Sequence, residues 1–245
     1  MSGRLEGRRA IVTGAGKGIG RASAMKLASE GASVGCIDVD EAAAAATVSD
    51  VTGSGGTALP LVADVTDEAQ VERAVAGAEE AFGGLDTIVA NAGILLAGQD
   101  DRADRLDADV WRRVVDVNLT GIFLTCKHGI RALLRGGSGA VVCTASPTGL
   151  YGLAPGLDAY SSSKAGVYGL IRVLANDYAA DGIRVNGVIP GYTDTPMNDY
   201  VERPGGHERI VATIPLRRPL SQLVRKEHWR AMIGASGQLR LFADP

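Results

Sequence analysis

Short apolar runs alternate along the chain with longer segments whose apolar positions recur every three to four residues. The short runs predict strands at residues 9–13, 33–38, 57–62, 87–90, 140–144 and 184–189. The longer segments predict helices at 18–30, 41–52, 66–82, 108–135 and 159–180. Gly31 stops the first helix, Thr66 is the expected N-cap of the third, and the long fourth helix has a natural break near Gly121. The strands are apolar on both faces, so neither face meets water. Strands of that kind alternating with helices predict an α/β architecture, a doubly wound parallel sheet with helices on both sides. No Pro/Gly/Ser-rich linker divides the chain, and residues 53–56 read as a loop, so one domain over 1–245 is expected.

Composition narrows the classes. With 46% apolar and 22% charged residues, the 245-residue chain has material for a large packed core. A net charge of −3 argues against a nucleic-acid or anionic-membrane surface, which would favour a basic patch. No apolar run reaches the length of a membrane span, and the first residues lack the apolar stretch of a secretory leader. Cys36, Cys126 and Cys143 are far apart in sequence, each in an apolar stretch, and read as buried free thiols of a reducing compartment. A cytoplasmic protein is therefore expected. His128, His207 and His228 are scattered, with no zinc-like spacing, so no metal is expected and His128 reads as a packing or interface residue. The acidic segment 100–109 reads as a solvated loop and helix start, and Trp111 with the apolar side of 114–124 as core.

The first chemical signal is Thr13-Gly14-Ala15-Gly16-Lys17-Gly18-Ile19-Gly20, between the first strand and the first helix. Glycines permit a tight turn and let backbone approach a ligand. The helix N-terminus behind them offers free N–H groups and the positive end of a dipole to a diphosphate. Asp38, at the end of the second strand, is placed to accept hydrogen bonds from the ribose hydroxyls of an adenosine. A phosphate loop of the nucleoside-triphosphate type is excluded, because Lys17 is followed by Gly18 rather than Ser or Thr. Gly31-Ala32-Ser33-Val34-Gly35 has the spacing of a nucleophile elbow but the wrong context: a helix precedes Ser33 and a strand follows it.

The second signal is Tyr160-Ser161-Ser162-Ser163-Lys164, which puts a phenol and an ammonium four residues apart on one face of a helix. A phenol titrates near 10 and is a poor base at neutral pH; a close ammonium favours the phenolate. The pair suits proton exchange with a carbonyl or hydroxyl oxygen. Ser146 follows directly after the fifth strand, at a carboxyl end of the sheet, where ligands bind in open α/β sheets.

Taken in order, these motifs resemble the short-chain dehydrogenase/reductase family. The resemblance spans residues 5–218 and rests on the Thr13–Gly20 loop, Asp64-Val65, Asn91-Ala92-Gly93, Asn118, Ser146, Tyr160-x-x-x-Lys164 and Pro190-Gly191. It implies a Rossmann-like fold and hydride transfer between a nicotinamide and a carbonyl/alcohol pair. It implies Tyr160 as general acid/base, with Lys164 lowering its pKa and holding the nicotinamide ribose. Ser146 would orient the substrate oxygen, and Asn118 would hold a water linking Lys164 to solvent. For the cofactor it implies Gly14, Lys17, Gly18, Ile19 and Gly20 at the diphosphate, Asp38 and Val39 at the ribose, and Asp64 and Val65 at adenine. Asn91, Ala92 and Gly93 would line the adenosine side, with Pro190, Gly191, Thr193 and Thr195 at the nicotinamide. Asp38 implies NAD, because a carboxylate repels a ribose 2′-phosphate; Lys17 is the counter-signal that keeps NADP open. Residues 94–97, 148–153, Tyr192 and 197–214 would line the substrate pocket, with 196–214 as a lid. The helices 111–134 and 159–180 would build a homodimer.

After Pro219 the resemblance fails: residues 219–245 have no counterpart to the family's last helix and closing turn, through a divergent end or a change of reading frame. Residues 238–242 read as a short seventh strand, and the family's tetramer is not expected. The leading functional expectation is an NAD-dependent secondary-alcohol/ketone oxidoreductase. A 3-oxoacyl thioester reductase is the alternative enzyme, and a non-catalytic dinucleotide sensor or scaffold the alternative of another class.

Overall fold

The computed structural model describes residues 3–152, 154–193 and 195–198. Six strands form one sheet: β1 Arg9–Thr13, β2 Ser33–Asp38, β3 Thr57–Val62, β4 Thr87–Ala90, β5 Gly139–Thr144 and β6 Ile183–Val188. Their spatial order is β3-β2-β1-β4-β5-β6, and every pairing is parallel. This is the doubly wound order, whose direction of winding reverses between β1 and β4 and opens a crevice there.

Alternation along β1 shows why the strands are apolar throughout. Ile11 packs into a core with residues from helices α3 (Glu68–Phe82), α5 (Gly121–Gly136) and α7 (Asp158–Asp177). Its neighbours Ala10 and Val12 point the other way, into a core shared with α1 (Gly18–Ser29) and α2 (Glu41–Gly53). Both faces are covered, as expected for successive side chains on opposite sides of a buried strand.

The predicted elements agree with the fold within a few residues, and four points are instructive. First, α3 is capped by Asp67, not Thr66: the Asp67 carboxylate accepts from the Gln70 N–H at 3.1 Å, while Thr66 bonds Asp64 Oδ1 through its N–H and its hydroxyl. Second, the long fourth helix is divided at the break expected near Gly121, with a π turn as its form. It runs as α4 (Ala108–Val115), one π-helical turn at Asp116–Thr120, then α5. Such turns mark functional sites, because the extra residue breaks the helical hydrogen-bond ladder. Third, Trp111 is 40% exposed and not core, while Val114 is fully buried. Fourth, Asp100 is 5% exposed, so the acidic segment 100–109 is not uniformly solvated. A short helix α6 (Thr148–Tyr151) escaped the periodicity because it is a single turn.

Cys36, Cys126 and Cys143 are buried and free. The sulfurs of Cys126 and Cys143 lie 3.7 Å apart, and that contact, with burial, raises the Cys126 thiol well above its ordinary range. His128 is buried on α5 with Nε2 3.1 Å from Glu68 Oε1, pinning α5 to α3. No described helix is long and apolar enough to cross a membrane. The expected lid from residue 199 onward, Leu153, His207, His228, the seventh strand and the rest of the tail lie outside the described residues.

Candidate active site

Because all strands run the same way, the segments after them meet along one edge of the sheet. The glycine loop follows β1, Asp64-Val65 follows β3, Asn91–Gly93 follows β4, Ser146 follows β5 and Pro190-Gly191 follows β6. Every residue expected at the site and described in the structure therefore reaches this edge, or comes to it on the π turn and α7.

The crevice between β1 and β4 is knitted by Thr13 and Asn91. The N–H groups of Asn91 and Ala92 both donate to Thr13 Oγ1, at 3.1 and 3.2 Å. Asn91 Nδ2 donates to the Thr13 carbonyl at 3.1 Å, and Asn91 Oδ1 accepts from Thr144 Oγ1 at 3.1 Å. One side chain thus joins the ends of β1, β4 and β5.

The glycine loop needs its glycines for two separate reasons. Gly14 has φ +65°, the left-handed region, and a Cβ there would meet Ala92 Cα at 2.9 Å. At Gly20 a Cβ would fall 1.9 Å from the Gly14 carbonyl oxygen, so the loop folds tightly onto the first turn of α1. Helices α2, α3 and α4 begin on aspartates (Asp40, Asp67 and Asp107) whose carboxylates accept first-turn N–H groups. Helix α1 begins on Lys17 with no side-chain cap and no acid in its first turn. Its N–H groups therefore suit an anion supplied from outside the chain.

Asp38 is half-buried. Its Oδ2 accepts from the Gly16 N–H at 2.8 Å and its Oδ1 from the Asp40 N–H at 3.0 Å, which fixes the carboxylate beside the loop. Lys17 Nζ pairs with Asp40 Oδ2 at 3.4 Å across the surface. Val39 is 66% exposed beside them. Asp64 accepts from Thr66, and Val65 is buried against Gly121, where a Cβ would sit 2.6 Å from Val65 Cγ2.

The segment after β6 returns toward the glycine loop. Thr193 is buried, its hydroxyl donating to the Gly191 carbonyl at 3.0 Å and its carbonyl accepting from Asn198 Nδ2 at 2.6 Å. The Thr195 side chain lies where a Cβ on Gly18 would touch it at 3.4 Å. This turn and the glycine loop thus face each other.

Lys164 carries a strongly perturbed group. It is 3% exposed, and burial lowers its ammonium to about 8. Its Nζ donates to the Thr144 carbonyl at 2.8 Å and lies 5.9 Å from the centre of the Tyr160 ring. Phenol and ammonium share one face of α7, as their spacing predicts. Ser146 is buried at the end of β5, with Oγ 3.1 Å from Thr148 Oγ1, and its carbonyl accepts from the Tyr168 hydroxyl at 2.8 Å.

Asn118 sits in the π turn, fully buried. Its Oδ1 accepts from the Ile94 N–H at 2.7 Å; its Nδ2 donates to the Ile94 carbonyl at 2.9 Å and to Ser163 Oγ at 3.2 Å. Both amide protons are spent, so the side chain is a brace between the segment after β4 and α7. A Cβ on Gly93 would lie 3.2 Å from Asn118 Oδ1 and 3.4 Å from Lys164 Nζ, so these three residues adjoin.

Two residues escaped the sequence reading. Tyr168, two turns beyond Tyr160 on α7, holds the Ser146 backbone; an apolar helix face gives no hint of a buried hydroxyl. Asp100 accepts from the Ala159 N–H at 3.1 Å and the Tyr160 N–H at 2.9 Å, and its position in an acidic stretch disguised it as a surface residue. At the opposite, amino-terminal end of the strands, a cleft of about 440 Å³ is lined by Arg9, Glu79, Gly83, Gly84 and Arg135 among others. Arg9 and Arg135 are engaged there by Asp86 and Glu79, and the cleft lies away from the residues above.

A parallel doubly wound sheet with a glycine loop at its switch point and a Ser/Tyr/Lys set at its carboxyl edge defines a dinucleotide-dependent oxidoreductase frame. The model of the short chain dehydrogenase family matches residues 8–204, and the chain belongs to that family. It is 44% identical over 222 residues to a cis-4-hydroxycyclohexanecarboxylate dehydrogenase of Sinomonas cyclohexanicum, covering 90% of this chain and 85% of that protein. It is 39% identical over 197 residues to a cyclohexanol dehydrogenase of Acinetobacter sp. strain SE19, covering 80% and 77%. Among solved structures, a levodione reductase superposes with a TM-score of 0.83 at 36% identity, covering 88% of this chain and 86% of that one.

Proposed function

We propose that the protein is an NAD-dependent dehydrogenase interconverting a secondary alcohol and a ketone, with Tyr160 as the general acid/base. The observation that carries this reading is the Lys164 ammonium, buried, anchored on the Thr144 carbonyl and 5.9 Å from the Tyr160 ring. Cyclic secondary alcohols are the substrate class of choice, because cyclohexanol and hydroxycyclohexanecarboxylate dehydrogenases are among the relatives.

The residues present fit a nicotinamide dinucleotide. Gly14, Gly18, Ile19 and Gly20 surround the uncapped start of α1, which would receive the diphosphate. Asp38 would hold the adenosine ribose with Val39 beside it, Asp64 and Val65 the adenine, and Asn91, Ala92 and Gly93 the wall between. Pro190, Gly191, Thr193 and Thr195 would meet the nicotinamide half. Bound there, the dinucleotide supplies the hydride acceptor or donor. NAD is preferred over NADP because the Asp38 carboxylate, fixed beside the glycine loop, would face the ribose and repel a 2′-phosphate, and the Lys17 ammonium is matched by Asp40. The homodimer expected through α4, α5 and α7 is kept as part of this reading; Trp111, Phe123 and Val173 expose apolar surface on those helices.

The chain's own part is positional and electrostatic. Ser146 Oγ orients the substrate oxygen. Tyr160 takes the hydroxyl proton in oxidation and returns one in reduction, with Lys164 favouring the phenolate. Asn118 keeps the π turn, residue 94 and α7 in fixed relation, which holds Lys164 at the end of β5. The direct test is a panel of cyclic and acyclic secondary alcohols with NAD and NADP, read at 340 nm. Turnover of ring alcohols with NAD is expected; cofactor binding with no turnover of any alcohol or ketone would instead favour a sensor.

The lysine makes a pH prediction. A pKa lowered in the folded state means that the protonated form is disfavoured by folding. The stability contribution is present above the ordinary value of 10.5 and is lost as pH falls through about 8. Activity runs the other way, because the ammonium is the form that favours phenolate. The kcat/KM for the dinucleotide, which reports the free enzyme, is expected to fall on the alkaline side with a midpoint of about 8. A flat profile from pH 7 to about 10 would contradict a role for the charged lysine.

A further inference from the structure

We infer that Asp100 is a positioning residue for the proton-transfer pair, setting the first turn of α7 and tying it to the wall of the substrate pocket. The inference rests on the reading of Tyr160 as acid/base. Helix α7 begins on Leu157, which provides no side-chain cap. The caps come instead from a segment nearly sixty residues earlier: both Asp100 oxygens accept, Oδ1 from the Ala159 N–H and Oδ2 from the Tyr160 N–H. The bond at position 160 is on the backbone of the residue that carries the phenol.

Asp100 is 5% exposed and makes no ion pair among the described residues. A buried carboxylate without a cation is costly unless hydrogen bonds and a helix dipole compensate it. Here both do. A second bond runs the opposite way, from the Ala103 N–H to Asp158 Oδ2 at 2.9 Å. The segment 94–103 is therefore held at one end by Asn118, through Ile94, and clasped at the other to the start of α7. Between those ties lie residues 94–97, the expected pocket wall. Movement of that wall by a substrate is transmitted to the backbone of Tyr160, and a slack clasp lets the phenol drift from the Lys164 ammonium.

The test compares Asp100→Ala, Asp100→Asn and Asp107→Ala in the full chain. Asp107 caps α4 by the same chemistry, accepting from Asp109 and Val110, and stands outside the proton-transfer set. Asp100→Ala is expected to lower kcat about tenfold while KM for the dinucleotide changes less than about twofold, because misplacement of a reacting group acts on the transition state. The Tyr160 phenol, isolated by subtracting the ultraviolet titration of a Tyr160→Phe background, is expected to ionise at higher pH in Asp100→Ala. Asp100→Asn keeps the size and one acceptor but presents Nδ2–H to a backbone N–H, so it should be intermediate in both readouts. Asp107→Ala should lower the melting temperature without moving either. Wild-type kcat and phenol titration in folded Asp100→Ala overturn the inference. Should that variant not fold, the same wild-type result in Asp100→Asn overturns it. The titration does not depend on turnover. A failure of the acid/base reading, seen as an active Tyr160→Phe enzyme, is thereby distinguished from a failure of the role given to Asp100.

Discussion

Tyr160→Phe is expected to remove about 10³-fold of kcat, within the range by which a positioned acid/base accelerates proton transfer, and to leave the dinucleotide bound. The substitution deletes one oxygen and keeps the ring. The ring lies 5.9 Å from Lys164 Nζ on α7, and the backbone bond from Tyr160 to Asp100 is kept in the variant. Lys164 keeps its anchor on the Thr144 carbonyl. The glycine loop, Asp38 and Asn91 are tied to one another and to Thr13 without help from Tyr160. Quenching of protein fluorescence by NADH should therefore give a dissociation constant within about threefold of the parent, while single-turnover hydride transfer nearly vanishes. Residual kcat within about tenfold of the parent would assign the proton to another group.

The second large effect is expected from Asp38→Asn. Two unit charges about 4 Å apart interact by about 4 kcal/mol at an effective dielectric near 20. Asp38 is half-buried, so solvent screening reduces that repulsion toward a 2′-phosphate to about 1.4–2.7 kcal/mol, or roughly 10- to 100-fold. Asparagine keeps one acceptor for the Gly16 or Asp40 N–H, so the loop retains part of its tie. The ratio of kcat/KM for NADP to that for NAD should rise by roughly the same factor, 10- to 100-fold. The check is a pair of saturation curves on one alcohol. An unchanged ratio would place cofactor choice in Lys17 and its partner Asp40 instead.

Sequence periodicity carried far because the sheet is parallel and buried on both faces. Strands such as β1 and β2 had to be apolar throughout, and their limits were legible to the residue. The order of motifs placed Asp38, Asn91, Ser146 and Pro190 at strand ends, and one-way strands bring strand ends together. What escaped was long-range and polar. Thr66 looked like the cap of α3, yet its hydroxyl is turned to Asp64 and Asp67 does the capping. Asp100 sat among exposed acids; only the distant start of α7 gives it partners. Trp111 has the residue type of a core position but lies on the open side of α4. Lys17 pairs with Asp40, a contact that no local pattern announces.

The lysine rests on the oxygen of a peptide bond, as does the hydroxyl of Tyr168, on Thr144 and Ser146 respectively. A point mutation at position 144 replaces a side chain and leaves that oxygen in place, so the acceptor is shielded from most genetic change. Drift is freer in residues 94–97, Leu150 and Tyr151, whose side chains would meet the alcohol, whereas a side chain at Gly149 would collide with the backbone of Lys164 and Ala165. Such a division lets a lineage acquire new substrates by altering walls while the apparatus that moves the proton is inherited intact.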